Sequence, residues 1–170
     1  MSKVLYIDIS RCIYCRSCEV ACEREHNGHS HMSVVLLDDA HAVPMNCRHC
    51  EKHPCLIACP TGAITREGDG PVVINSMKCI GCRLCAMVCP FGILTFDVLS
   101  RIMRKCDLCI HRLSEGKRPA CVTTCPARAL SFDEFETIMR RVRQREAAAL
   151  VAGWEGRPKV IIPEKSAPQA

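Results

Sequence analysis

Aromatic side chains are scarce in this chain of 170 residues: one Trp, two Tyr and four Phe, 4% in all. Aromatics supply the largest packing areas in ordinary interiors, so a hydrocarbon core alone is a poor account of how this chain folds. Long apolar runs are missing too. Nowhere do the ~18 uninterrupted apolar residues of a membrane span occur, and the start, Met1-Ser2-Lys3-Val4-Leu5-Tyr6, is not a charged leader ahead of an apolar stretch. These absences predict a soluble chain without a secretory leader. There is no glycine-rich nucleotide fingerprint, no phosphate loop and no nucleophile set beside a base, which argues against catalysis by this chain itself.

What the chain has in abundance is cysteine, sixteen in four groups of four. Cys12, Cys15, Cys18 and Cys22 follow C-x2-C-x2-C-x3-C, and Cys79, Cys82, Cys85 and Cys89 repeat it with Pro90 behind. Cys47, Cys50, Cys55 and Cys59 widen the middle gap to four residues and end on Pro60; Cys106, Cys109, Cys121 and Cys125 widen it to eleven and end on Pro126. Such runs wrap 4Fe-4S cubes, because soft thiolates suit iron and x2 gaps let three sulfurs of one loop reach three corners of a cube. Four cysteines can also hold a structural zinc. Iron and acid-labile sulfide analysis separates the two readings. A secreted disulfide framework is disfavoured by the repeated C-x2-C pairs, which predict a reducing, cytoplasmic setting.

The formal charge of +5 counts every cysteine as neutral. Four oxidised cubes with their thiolates add about −8 and bring the loaded protein to roughly −3. The basic residues near the motifs (Arg11, Arg16, Arg48, Arg83, Arg104 and Lys105) thus read as counter-charges to buried anions. Nucleic acid is a weak reading, since no aromatics interleave the one dense basic run, Arg140, Arg141, Arg143 and Arg145. That run reads as the wet face of a helix.

Among the histidines, His26, His29 and His31 read as part of a solvated polar loop, lacking a carboxylate or cysteine at ligand spacing. His49, between two cysteines, is expected to hydrogen-bond or shield a cluster without ligating it. Strands are expected at Val4 to Ile9, Val34 to Leu37, Ala63 to Thr65, Val72 to Ile74 and Ala129 to Phe132. Ser131 and Glu134 suggest a capping box that opens a helix with Phe135, Ile138, Met139, Val142 and Leu150 at helical spacing, running to about Val151. Gly153 and Gly156 break it, leaving Trp154 and Val160 to Ile162 as candidate contacts for another subunit or a second copy.

The stretch from Met45 to Phe96 resembles a bacterial two-cluster ferredoxin, in which the fourth cysteine of each run ligates the other cluster. That resemblance implies one set of Cys47, Cys50, Cys55 and Cys89, and another of Cys79, Cys82, Cys85 and Cys59. With these paired, Cys125 is expected to complete the set of Cys12, Cys15 and Cys18, and Cys22 that of Cys106, Cys109 and Cys121. The rival pairing joins neighbouring groups, one with two and three with four. Cys47-Arg48-His49-Cys50, Pro54-Cys55, Lys105-Cys106-Asp107-Leu108-Cys109, Gly116, Pro119-Ala120-Cys121 and Cys125-Pro126 carry a wider likeness. Over roughly Ile7 to Phe132 the sequence resembles the four-cluster electron-transfer subunits that accompany molybdenum or tungsten pterin oxidoreductases, carbon monoxide dehydrogenase and formate-linked hydrogenases.

The resemblance implies an α+β fold of two pseudo-symmetric ferredoxin-like units, an inner one at 45–100 and an outer one from 1–44 plus 101–132. The helix and tail, 133–170, are left for a partner or self-association. It also implies four 4Fe-4S clusters and no catalysis in this chain. Electrons would pass between a large catalytic redox subunit, with an aldehyde oxidoreductase or carbon monoxide dehydrogenase type of system favoured, and an acceptor such as a soluble carrier, a flavin subunit or a hydrogenase. A mobile polyferredoxin that meets several enzymes is the alternative function.

Overall fold

The computed structural model describes residues 3–38, 41–66 and 68–153. Trp154 and Val160 to Ile162, expected at a partner contact, lie outside the described residues. The chain divides into two units, one ending at Glu134 and the other starting at Phe135.

The first unit is α+β, built from four antiparallel strand pairs and short helices. Strand β1 (Lys3–Ile7) pairs with β8 (Leu130–Glu134), joining the two ends of the unit. Strands β2 (Met32–Leu37) and β3 (His41–Asn46) form a hairpin, as do β4 (Ile64–Arg66) with β5 (Val72–Ile74), and β6 (Thr95–Asp97) with β7 (Ile102–Arg104). Helix α1 is Ser17–Glu25, and the rest are shorter: α2 (Pro54–Ile57), α3 (Leu84–Met87), α4 (Ile110–Ser114) and α5 (Ala120–Thr124).

The expected strand at Val4 to Ile9 stops at Ile7, and Ile9–Arg11 turn as a 3-10 helix toward Cys12. β3 and the β6–β7 hairpin were not expected. Asp97 makes that second turn: its carboxylate accepts from the Leu99 N–H at 3.0 Å and from the Ser100 hydroxyl at 2.5 Å, the local bond that lets Asp start turns. Ser131 is no helix cap. It sits in β8 opposite Tyr6, and the strand ladder takes precedence over the helix start.

Two apolar cores form in this unit. One gathers Met32, Val34, Ala42, Leu108, Val122, Leu130 and Phe132 around Cys18, Cys22 and Cys121. The other gathers Ile64, Val72, Leu94 and Met103 around Cys85, with Cys55, Cys59, Cys79 and Cys89 packed on it. Cysteine is thus a core residue in both, which explains how the unit folds with so few aromatics.

The second unit contains helix α6 (Phe135–Ala152), on which Arg145 pairs with Glu146 at 2.6 Å. Among the described residues no helix is long and apolar enough to cross a membrane.

Candidate metal centres

None of the sixteen cysteines is in a disulfide. Twelve line three similar small cavities. The first cavity is lined by Cys12, Cys15, Cys18 and Cys125, the second by Cys47, Cys50, Cys55 and Cys89, and the third by Cys79, Cys82, Cys85 and Cys59. In each, three sulfurs come from one run and the fourth from another. Of the last four, Cys22 and Cys121 share one buried core with Cys106 packed against it, and Cys106, Cys109, Cys22 and also Cys18 are near enough to disfavour ionisation of Cys121.

Local geometry produces this crossing. Cys18 and Cys22 lie four residues apart on α1, so their sulfurs project one turn, about 6 Å, apart along one face. One therefore reaches the first set and the other the fourth. Cys121 on α5 and Cys125 at its end do the reverse, and α1 packs against α5. Short α2 and α3 hold Cys55 and Cys85 in the same way, with Cys59 and Cys89 four residues on.

The loops that carry the first two cysteines of each run share a backbone signature. The residue before the second cysteine has a positive φ in all four: Tyr14 at 56°, His49 at 46°, Gly81 at 68° and Leu108 at 59°. Such turns make the concave nests of N–H groups that bind anions and iron-sulfur sites. Amide donors do reach the sulfurs. Met103 N–H donates to Cys79 at 3.4 Å, Leu108 N–H to Cys106 at 3.4 Å and His31 N–H to Cys22 at 3.2 Å.

Electrostatics point the same way. Burial pushes the Cys18 and Cys85 thiols up to about 11 and Cys106 up to about 12, and it raises Cys121 further still. A buried thiol among others resists ionisation because its anion would be desolvated beside theirs. A bound cation removes that penalty, and ligand thiols must lose their protons to bind one. At the rims, Cys15 is lowered by the Ser17 hydroxyl and amide. Cys59 is lowered as well, the Thr61 hydroxyl and nearby amides outweighing its burial.

Unpartnered buried nitrogens complete the fit. His49 lines the second cavity, and its Nδ1 accepts from the Val72 N–H at 3.0 Å. Nε2 therefore carries the proton, yet this buried donor has no acceptor within the protein. Burial, then the charge of Lys105, holds the ring down at about 3, in its neutral form. A sulfur-rich anion in the cavity would be its acceptor.

The histidine loop departs from the solvated segment expected. Nε2 of His26 meets Asp107 Oδ1 at 3.0 Å, and Nδ1 meets the Cys22 carbonyl at 2.8 Å. These contacts, Asp107 foremost, raise His26 to about 11, whereas burial lowers neighbouring His31 to about 4. Both ring nitrogens of His31 are buried without partners. Only His29, 36% exposed along its side chain and 3.6 Å from Asp97, retains the wet character expected.

Residue types and spacing thus fit 4Fe-4S clusters: soft thiolate donors in fours, amides aimed at sulfur and orphaned donors at the walls. A sequence model described as a 4Fe-4S dicluster domain matches residues 38–135. The iron-sulfur protein of Rhodospirillum rubrum is 42% identical over 145 residues, covering 70% of this chain and 75% of that protein. The B subunit of the anaerobic dimethyl sulfoxide reductase of Escherichia coli (strain K12) is 37% identical over 139 residues, covering 69% of this chain and 66% of that subunit. Formate hydrogenlyase subunit 2 of the same strain is 40% identical over 101 residues, covering 57% of this chain and 49% of its own length. The chain is therefore a member of the 4Fe-4S dicluster domain family of iron-sulfur proteins.

Proposed function

We propose that this protein is a non-catalytic relay subunit that holds four 4Fe-4S clusters and passes electrons between a large catalytic redox subunit and an acceptor. The first cluster would be held by Cys12, Cys15, Cys18 and Cys125, and the second by Cys47, Cys50, Cys55 and Cys89. The third would be held by Cys79, Cys82, Cys85 and Cys59, and the fourth by Cys106, Cys109, Cys121 and Cys22. The observation that carries this reading is the repeated cavity wall of three cysteines from one run and one from another. When bound, each cluster supplies a one-electron carrier.

The protein's own part is to hold the sets in series and to leave both ends accessible. Cys18 of the first set and Cys22 of the fourth lie one helical turn apart on α1, and Cys55 of the second set on α2 is followed four residues on by Cys59 of the third. Lys105, beside Cys106 of the fourth set, donates to the carbonyl of Val72 in the wall of the second cavity. These neighbours support the order first, fourth, second, third. Cys15 and Cys82 are the exposed cysteines, one in each terminal set, and mark the two surfaces for electron entry and exit. The inner unit comprises the second and third sets, and the outer unit the first and fourth. The His49 N–H faces the second cluster.

Relatives named as components of a dimethyl sulfoxide reductase and of a formate hydrogenlyase support a partner that is itself a redox enzyme. An aldehyde- or formate-type oxidoreductase, a carbon monoxide dehydrogenase or a hydrogenase fits that place. Anaerobic purification with iron and sulfide analysis tests the reading, with about sixteen of each expected per polypeptide. Zinc without sulfide overturns it. Tight co-purification with a large redox enzyme is the second expected result, and a free monomer that reduces many acceptors would instead mark a mobile carrier.

A further inference from the structure

Lys105 is the least ordinary charge in the first unit. It is 4% exposed, yet no carboxylate among the described residues pairs with it. Its Nζ donates to the Val72 carbonyl, and to the Cys106 carbonyl at 2.8 Å. Val72 belongs to one apolar core, whereas Cys106 packs against the other, so the ammonium stands where the two cores meet. Its charge reaches Cys55, Cys106 and His49.

Two carbonyl dipoles are thin compensation for a buried cation, which loses several kcal/mol of hydration on burial. A structural tie between cores needs no charge, because a neutral side chain packed there avoids that loss. The cation is explained if anions lie on either side of it, and the second and fourth cysteine sets flank it. A positive charge beside an iron-sulfur cluster favours its more negative, reduced form, since net charge and hydrogen bonding set cluster potentials.

We infer that Lys105 sets the reduction potentials of the two central clusters, holding both more positive than they would otherwise be. This rests on the ligand sets proposed above. One side chain between adjacent clusters would lift both together, so the step between them changes less than the steps to the outer clusters.

The test is a redox titration of the purified, loaded protein followed by electron paramagnetic resonance, with each signal assigned by a Cys→Ser change in its own set. Lys105→Met should move the midpoints of the second and fourth clusters to more negative potential and leave the first and third in place. Lys105→Gln keeps a donor for the two carbonyls, and it carries the test if Met loosens the joint between the cores. Lys105→Arg, which retains the charge, should restore wild-type midpoints. Unchanged midpoints in a neutral variant with full iron and sulfide overturn the inference, as does an equal shift of all four clusters. Failure of the relay reading looks different, because wild-type protein without iron and sulfide would give no cluster signals to titrate.

Discussion

Ile7, five residues before Cys12, lies directly opposite Leu130, five residues after Cys125, in the antiparallel pair of β1 and β8. The first and last cysteine runs, far apart in sequence, are thereby fastened at matched distances from one ladder. Backbone donation continues past the strand, with the Asp8 N–H giving to the Ala129 carbonyl at 2.7 Å. This clasp brings Cys125 to the wall of the cavity that Cys12, Cys15 and Cys18 line.

Cys125→Ser should therefore abolish or convert the same electron paramagnetic resonance signal as Cys12→Ser. Cys109→Ser should affect a different one. Were Cys125 to group spectroscopically with Cys109, the crossed ligand sets would be wrong and each run would hold its own cluster.

Gly81 sits at φ +68°, and a Cβ there would overlap the Arg101 carbonyl oxygen. Left-handed strain alone is worth about 1–3 kcal/mol, and the backbone contact adds to it. Gly81→Ala should lower the thermal midpoint of the loaded protein and loosen the loop that carries Cys79 and Cys82. Gly92→Ala, at φ +60° with nothing within 4 Å, should show the smaller effect of strain alone. Equal losses in the two variants would mean that the Arg101 contact is unimportant.

His49→Ala removes a buried N–H donor from the wall of the second cavity. A donor to cluster sulfur stabilises the reduced, more negative state. The expected result is a more negative midpoint for the cluster of Cys47, Cys50, Cys55 and Cys89, with iron content unchanged. A redox titration that leaves every midpoint in place would remove this role.

The β6–β7 turn should show its own response to pH. The Ser100 hydroxyl and then Arg104 hold the Asp97 carboxyl well below the usual carboxylate range. Its folded-state pKa is depressed, so its contribution is fully present above the unfolded value of about 4 and is lost as pH falls through the folded one. Asp97→Asn should thus melt below wild type by the same margin at pH 8 and at pH 6, both well above the unfolded value. A margin that shrinks on going to pH 6 would show that a group titrating nearer neutrality, and not this carboxylate, holds the turn.

How much of this was legible beforehand can be read residue by residue. The β4–β5 hairpin announced itself through Ile64-Thr65 and Val72-Val73-Ile74 around a turn, and the flanking strands through their apolar content. The β6–β7 hairpin did not, since its turn, Val98-Leu99-Ser100-Arg101, holds no glycine or proline and exposes two apolar residues where turn residues are expected. His26 seemed a loop histidine because its partner, Asp107, lies 81 residues away. Lys105 read as one basic residue among several near the motifs, and nothing local marks it as buried.

Cysteine spacing by itself indicated thiolate metal centres and put the first two sulfurs of every run together, because a two-residue gap is a local constraint on reach. The tertiary structure decided which fourth sulfur lines which cavity, which histidines lose water, and where a lone ammonium is enclosed between two cores. Those outcomes depend on contacts between segments distant in sequence and on the desolvation such contacts impose, and neither is written in any short run of residues.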